Sequence, residues 1–139
     1  MKTFENVSSL KDATLRAGQI VETKGYYSPG DGGQACYLIK TAAEYSGTPD
    51  EYGDHTLANG NVAVLQYEGV GNVKWFGAVG DGATDDSPTF VAAAAATDES
   101  VYVPVASYDL NSNTITGKFH SFGTPTFVTG TITVLNLNP

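Results

Sequence analysis

Asp81, Asp85 and Asp86 form the tightest carboxylate cluster in the chain, and paired carboxylates are what acid and base catalysis or Ca²⁺ binding would need. Their neighbours point to structure instead. Asp81 lies between Gly80 and Gly82, a turn composition, and Asp85 and Asp86 precede Ser87-Pro88, where negative charge favours a helix N-terminus. Gly80, Asp81, Gly82, Asp85, Asp86, Ser87 and Pro88 are therefore read as structural turn and helix-cap residues. The second acidic group, Asp50, Glu51 and Asp54, reads as a solvated loop. His55 and His120 are far apart, and neither has a cysteine or second histidine at ligand spacing, so no zinc site is indicated. Cys36, between Ala35 and Tyr37 in a strand, reads as a small buried hydrophobe rather than a nucleophile. The glycines from Gly30 to Gly33 lack the Lys-Ser/Thr and the following helix that a phosphate loop requires. No catalytic residue, no cofactor and no metal is therefore expected.

Aromatic residues leave two readings open. Tyr26, Tyr27, Tyr37, Tyr67 and Trp75 could stack on a sugar, or could pack a small β core or a subunit interface. Tyr26, Tyr27 and Trp75 are the candidates for interface or glycan contact. Charge narrows the partners: seven Lys+Arg against fifteen Asp+Glu give a net charge of −8, with no basic run, so neither nucleic acid nor an anionic membrane surface is expected. The N-terminal MKTFENVSSL has no continuous apolar segment, and the longest run of small apolar residues, Val91 to Ala96, is far too short to span a bilayer. One cysteine rules out an intrachain disulfide.

The elements that would position these residues are mainly β. Sixteen glycines, eight tyrosines and six phenylalanines accompany a charged fraction of only 16%, which hints at an oligomer or a large buried face. Ser9, with Asp12 as a variant capping box and Leu10, Ala13 and Ala17 at helical spacing, predicts a first helix that Gly18 ends. Ile20 to Thr23 and Ala35 to Ile39 read as strands around a turn-rich loop from Gly25 to Gly33, and Lys40 to Gly53 as a surface loop. Asn59-Gly60, between Thr56 to Ala58 and Asn61 to Leu65, predicts a type I′ hairpin. Gly69 to Asn72 reads as a connector. This first part, residues 1–72, is expected to be a small antiparallel β domain with one helix.

In the second part, residues 73–139, Ser87 is placed to cap an Ala-rich helix from Pro88 to about Thr97, close against a sheet. Short Thr-rich strands follow at Val101 to Val103, Ser107 to Leu110, Ile115 to Phe119, Thr126 to Val128 and Thr131 to Leu137.

The run Trp75-Phe76-Gly77-Ala78-Val79-Gly80-Asp81-Gly82-Ala83-Thr84-Asp85-Asp86-Ser87, followed by a helix and then Val101-Tyr102-Val103-Pro104 and Ser107-Tyr108, closely resembles the opening of pectate-lyase-like right-handed β-helix proteins. That pattern implies a first strand, a Gly-Asp-Gly turn, a capping helix and a first full coil. Ala106 departs from it, standing where the family usually has glycine. Leu15, Gly18 and Val21, the Gly25-Tyr26-Tyr27 and Gly30 to Gly33 turn, and Asp54-His55 before the hairpin are similar to the small domain that precedes the β-helix in bacteriophage tailspikes.

The resemblance implies a homotrimeric virion protein, assembled in the host cytoplasm, whose N-terminal part docks to a phage tail or baseplate protein. A C-terminal continuation would bind bacterial surface polysaccharide, with any catalytic groups on later coils. Residues 73–139 have room for a cap and about two coils, leaving an open edge around Thr131 to Leu137. The expected function is structural, the N-terminal part of a tailspike or tail fibre, and not itself an enzyme. The alternatives are the leading fragment of a capsule or lipopolysaccharide depolymerase, or a carbohydrate-binding module.

Overall fold

The computed structural model describes residues 1–134, so the end of the strand expected to reach Leu137 lies outside the described residues. Contacts divide the chain into two units, Met1–Tyr67 and Glu68–Pro139.

The first unit is built on a five-stranded sheet in the order β1-β2-β3-β5-β4, from β1 (Lys2–Phe4), β2 (Ile20–Thr23), β3 (Ala35–Lys40), β4 (His55–Thr56) and β5 (Val62–Gln66). Three strand pairs are antiparallel: Val21 opposes Tyr37, Tyr37 opposes Leu65, and His55 opposes Ala63. The sheet is mixed rather than purely antiparallel, because β1 lies parallel to β2 with Lys2 opposite Val21. A parallel pair needs a crossover, and helix α1 (Val7–Asp12) supplies it. This helix starts earlier than Ser9 and ends well before Gly18. Asn6 is its cap, its Oδ1 accepting the Ser9 N–H at 2.8 Å, and only Val7 and Leu10 are buried along it. Ala13 is already extended, and Gly18, at φ +92, turns the chain into β2.

Two more local expectations change. A single helical turn, α2 (Ala42–Tyr45), interrupts the stretch read as loop, held by a Thr41/Glu44 capping box and too short to show a period. The β4–β5 hairpin forms, but through a three-residue connection in which Gly60, not Asn59, takes positive φ. Asn59 has tertiary work: its amide and that of Asn61 both donate to the Leu15 carbonyl at 2.9 Å. Leu10, Leu15, Val21, Tyr37, Ile39 and Ala63 fill the core under the sheet.

The second unit has two separate three-stranded parallel sheets. One runs β6-β8-β10, from β6 (Gly71–Asn72), β8 (Val101–Tyr102) and β10 (Phe119–His120); the other runs β7-β9-β11, from β7 (Asp81–Asp85), β9 (Ser107–Gly117) and β11 (Thr126–Val134). The residues read as a connector thus contribute a strand. Trp75 lies in a 3₁₀ turn, Val73–Phe76, rather than a strand, and Asp81-Gly82 opens β7 directly after Gly80. Ser107 to Phe119 was expected as two strands; here β9 is continuous to Gly117 and bends at Asn111 and Ser112, both with positive φ, while β11 bends alongside at Gly130. Helix α3 (Ser87–Ala96) places Phe90 against Tyr108 and Phe119, with ring centroids 5.1 and 5.6 Å away. Its alanines allow close approach: a Cβ at Gly117 would meet the Ala94 Cβ at 3.0 Å. No helix among the described residues is long and apolar enough to cross a membrane.

Candidate functional site

The first unit holds a pocket of about 440 Å³ whose walls include Lys11, Asp12, Tyr26, Tyr27, Glu51 and His55. Its aromatic wall is set by one carboxylate. Asp31 accepts from the backbone N–H groups of Tyr26 (3.0 Å), Tyr27 (2.8 Å), Ser28 (3.2 Å) and Gly33 (2.8 Å), so the loop wraps around its own side chain. Burial pushes the Asp31 carboxyl up, but the four amides outweigh it and hold it below the usual range. Gly25 is needed here, since a Cβ would run into the Ser28 carbonyl. The loop is tied to the start of α1 by Val7 N–H to the Tyr26 carbonyl (3.0 Å) and Asn6 Nδ2 to the Tyr27 carbonyl (3.2 Å). The two rings are tilted, with centroids 4.8 Å apart; the Tyr26 hydroxyl donates to the Tyr52 carbonyl, and Tyr27 stays 54% exposed.

His55, delivered by β4, is only 1% exposed. It meets Tyr26 edge-on at 5.8 Å and Tyr37 at 5.9 Å, and neither ring nitrogen has a hydrogen-bond partner. Each such buried polar atom costs about 1–3 kcal/mol. Desolvation, reinforced by Lys11 and opposed by Glu51 and Asp50, lowers its pKa to about 4, so the ring is neutral at pH 7. The acidic stretch beside it is not simply solvated. Asp50 accepts from the amides of Tyr52, Gly53 and Asp54; Glu51 accepts from Thr56 N–H (3.1 Å) and Oγ1 (2.5 Å) and lies 3.7 Å from the Lys11 ammonium. Asp54 accepts from Leu65 N–H and the Tyr45 hydroxyl.

In the second unit the carboxylates at 81, 85 and 86 bind the backbone around them. Asp81 Oδ1 accepts from the amides of Ala83 (2.9 Å) and Thr84 (2.8 Å), and these bonds keep its carboxyl low. Asp85 accepts from Ser87 N–H and Oγ. Asp86, 1% exposed, stands at the N-cap of α3, where Ser87 was expected; Ser87 and Pro88 are its first two helical residues. The Asp86 side chain turns away from the helix and accepts from Val79 N–H (2.8 Å) and Gly80 N–H (3.0 Å), while Lys74 Nζ donates to the Val79 carbonyl at 2.7 Å. Burial pushes the Asp86 carboxyl up against the two amides and Lys74. Among the described residues no group of three or more His, Cys, Asp or Glu side chains is placed to hold a metal ion.

Of the aromatic candidates, Tyr26 and Tyr27 share the pocket, whereas Trp75 belongs to the second unit. His55 was missed as their companion because its distance from them in sequence hides the contact. The sequence also gave no sign of the Tyr102, His120 and Phe122 cluster, with centroids 5.5–5.7 Å apart and Phe122 88% exposed, which parallel pairing of β8 with β10 creates. Cys36 is half-buried in β3 rather than enclosed.

A mixed sheet with a short crossover helix, followed by stacked parallel strands around an Ala-rich helix, is therefore the fold that carries these sites. The sequence matches no protein-family model and no curated protein. Solved structures share the fold. Tailspike protein gp49 of the Acinetobacter baumannii bacteriophage Fri1, a capsular polysaccharide depolymerase, matches with a TM-score of 0.68 at 18% identity, over 87% of this chain and 22% of its own. The enzymatically active domain of bacteriophage CBA120 tailspike protein 4 matches with a TM-score of 0.67 at 18% identity, over 99% of this chain and 21% of its own. Pantoea stewartii WceF, a glycan biofilm modifying enzyme with a tailspike-like parallel β-helix fold, matches with a TM-score of 0.59 at 19% identity, over 88% and 17%. The tailspike resemblance read from the sequence is thus a shared fold, and the chain spans about a fifth of the length of these proteins.

Proposed function

We propose that this chain is a structural virion protein, the N-terminal, particle-proximal part of a phage tailspike or tail fibre. In this reading it trimerises and attaches a receptor-binding or depolymerase module to a tail or baseplate protein, after assembly in the host cytoplasm. The observation that carries the reading is the fold match to tailspikes over nearly the whole chain. Strand order supports it: the chain visits the two parallel sheets of the second unit alternately, β6, β7, β8, β9, β10, β11, as successive coils of a parallel β-helix would. Parallel crossovers are right-handed in nearly all folds, so the coil is read as right-handed and α3 as its cap. Further coils or partner chains would then cover the edges at β10 and β11.

One observation favours a second reading: the Fri1 tailspike is a capsular polysaccharide depolymerase. There the chain is the leading segment of a polysaccharide lyase or glycosidase, and the chemistry belongs to the longer parent. Light scattering at micromolar concentration tests the trimeric anchor. A mass three times 14.5 kDa is expected, and a stable monomer overturns trimerisation through this chain.

A further inference from the structure

We propose that the Tyr26/Tyr27/His55 pocket is a binding site for a neutral sugar residue. At about 440 Å³ it lies in the ordinary size range of small-molecule sites, and it joins an aromatic wall to a few convergent polar groups. Tyr27, 54% exposed among the lining residues, supplies aromatic surface against which the C–H face of a pyranose would pack. The charges select against anionic ligands. Lys11 and Glu51 offset one another at 3.7 Å, Asp12 adds one exposed carboxylate, Asp50 is the other carboxylate acting on the histidine, and His55 itself is uncharged. An anion meets the Asp12 and Glu51 carboxylates and an ammonium already paired with one of them, so charge disfavours it.

A purely apolar occupant would desolvate Asp12, Lys11 and Glu51 without giving them partners. Hydroxyl groups satisfy all of them, and a hydroxyl both donates and accepts, so it can serve either tautomer of the His55 ring. That ring lines the pocket and both its nitrogens are unpartnered, so a sugar hydroxyl that reached one of them would satisfy a buried polar atom now left unmet. The site stands on the first unit alone and does not depend on the tailspike reading.

The test is an NMR titration of the full chain with the methyl glycosides of glucose, galactose and N-acetylglucosamine, with glucuronate and choline as charged comparisons. At least one neutral glycoside is expected to shift the Tyr26, Tyr27 and His55 ring signals saturably, with Kd of about 1–10 mM. Tyr27→Ala should weaken that binding at least about tenfold, while Tyr27→Phe, which keeps the ring, should stay within about threefold. The unchanged amide spectrum away from the pocket confirms that both variants fold. Absence of saturable shifts with every neutral glycoside up to about 50 mM overturns the proposal. So do shifts that persist unchanged in Tyr27→Ala, or saturation by glucuronate or choline instead.

Discussion

Acid should loosen the first unit through one side chain. His55 has an ordinary pKa of 6.5, which it regains in the unfolded chain, and a folded value of about 4, depressed chiefly by burial. Between those values the unfolded chain binds the proton and the folded one does not, so stability is intact above about pH 7 and falls as pH drops toward 4. A shift of about 2.5 units corresponds to about 3 kcal/mol over that window, a large part of the stability of a small domain. Asp31 and Glu51 act in a lower window. Burial raises both carboxyls, but hydrogen bonds more than offset it, so their stabilisation is present above the ordinary carboxylate range and is lost only as pH falls below it.

His55→Phe isolates the histidine, because it keeps an aromatic ring against Tyr26 and Tyr37 while removing the proton site. Its absolute stability at pH 7 mixes relief of two unpartnered nitrogens with overpacking, each about 1–3 kcal/mol, so the pH slope is the informative quantity. The slope is measured from amide exchange of Tyr37 and Leu65, paired across β3 and β5, at pH 7, 5.5 and 4.5. Wild type should lose about 2 kcal/mol between the extremes, most of the full shift, and the variant almost none of it. Equal slopes in the two proteins, or a His55 ring that titrates near 6.5, would refute the reasoning.

Asp86→Ala leaves the Val79 and Gly80 amides without their acceptor and should destabilise the second unit by about 2–4 kcal/mol, with Asp86→Asn recovering at most half, since it keeps one acceptor and turns a donor toward the other amide. The single tryptophan, Trp75, reports that unit in urea unfolding. Two glycines at positive φ should respond differently to alanine. Gly60, at φ +88 with open space around it, should lose only about 1–2 kcal/mol, the cost of a left-handed residue with a Cβ. Gly130, at φ +80 with the Asn113 carbonyl 2.5 Å from the new Cβ, should lose at least about 3 kcal/mol, read by calorimetry on both variants.

Most of what is local in this fold was legible in the sequence, the single turn of α2 with its Thr41/Glu44 capping box being the exception. The β2 and β3 strands, the hairpin around Gly60 and the Ala-rich helix follow from periodicity and turn chemistry that a few residues carry. What was missed depends on distant partners. Nothing within Lys2 to Phe4 marks it as a strand; its pairing with β2 does. Ser9 and Asn6 are both good caps, and burial of Val7 with Leu10 decides between them. Asp86 is drawn off its helix end by two amides several residues upstream. The candidate site divides the same way: Tyr26 and Tyr27 are neighbours in the chain, but His55 reaches them only because β4 lies at the far edge of a folded sheet.

The parallel ladders carry a kinetic consequence. In the second unit every strand pair closes a long loop, the shortest running from Thr114 to Thr131, so backbone entropy is lost before any rung rewards it. In the first unit the turn at Gly60 brings Thr56 to Val62 almost at once. During synthesis the N-terminal unit therefore has a template within reach as its last strand emerges, while the rungs behind it wait for chain still to be made.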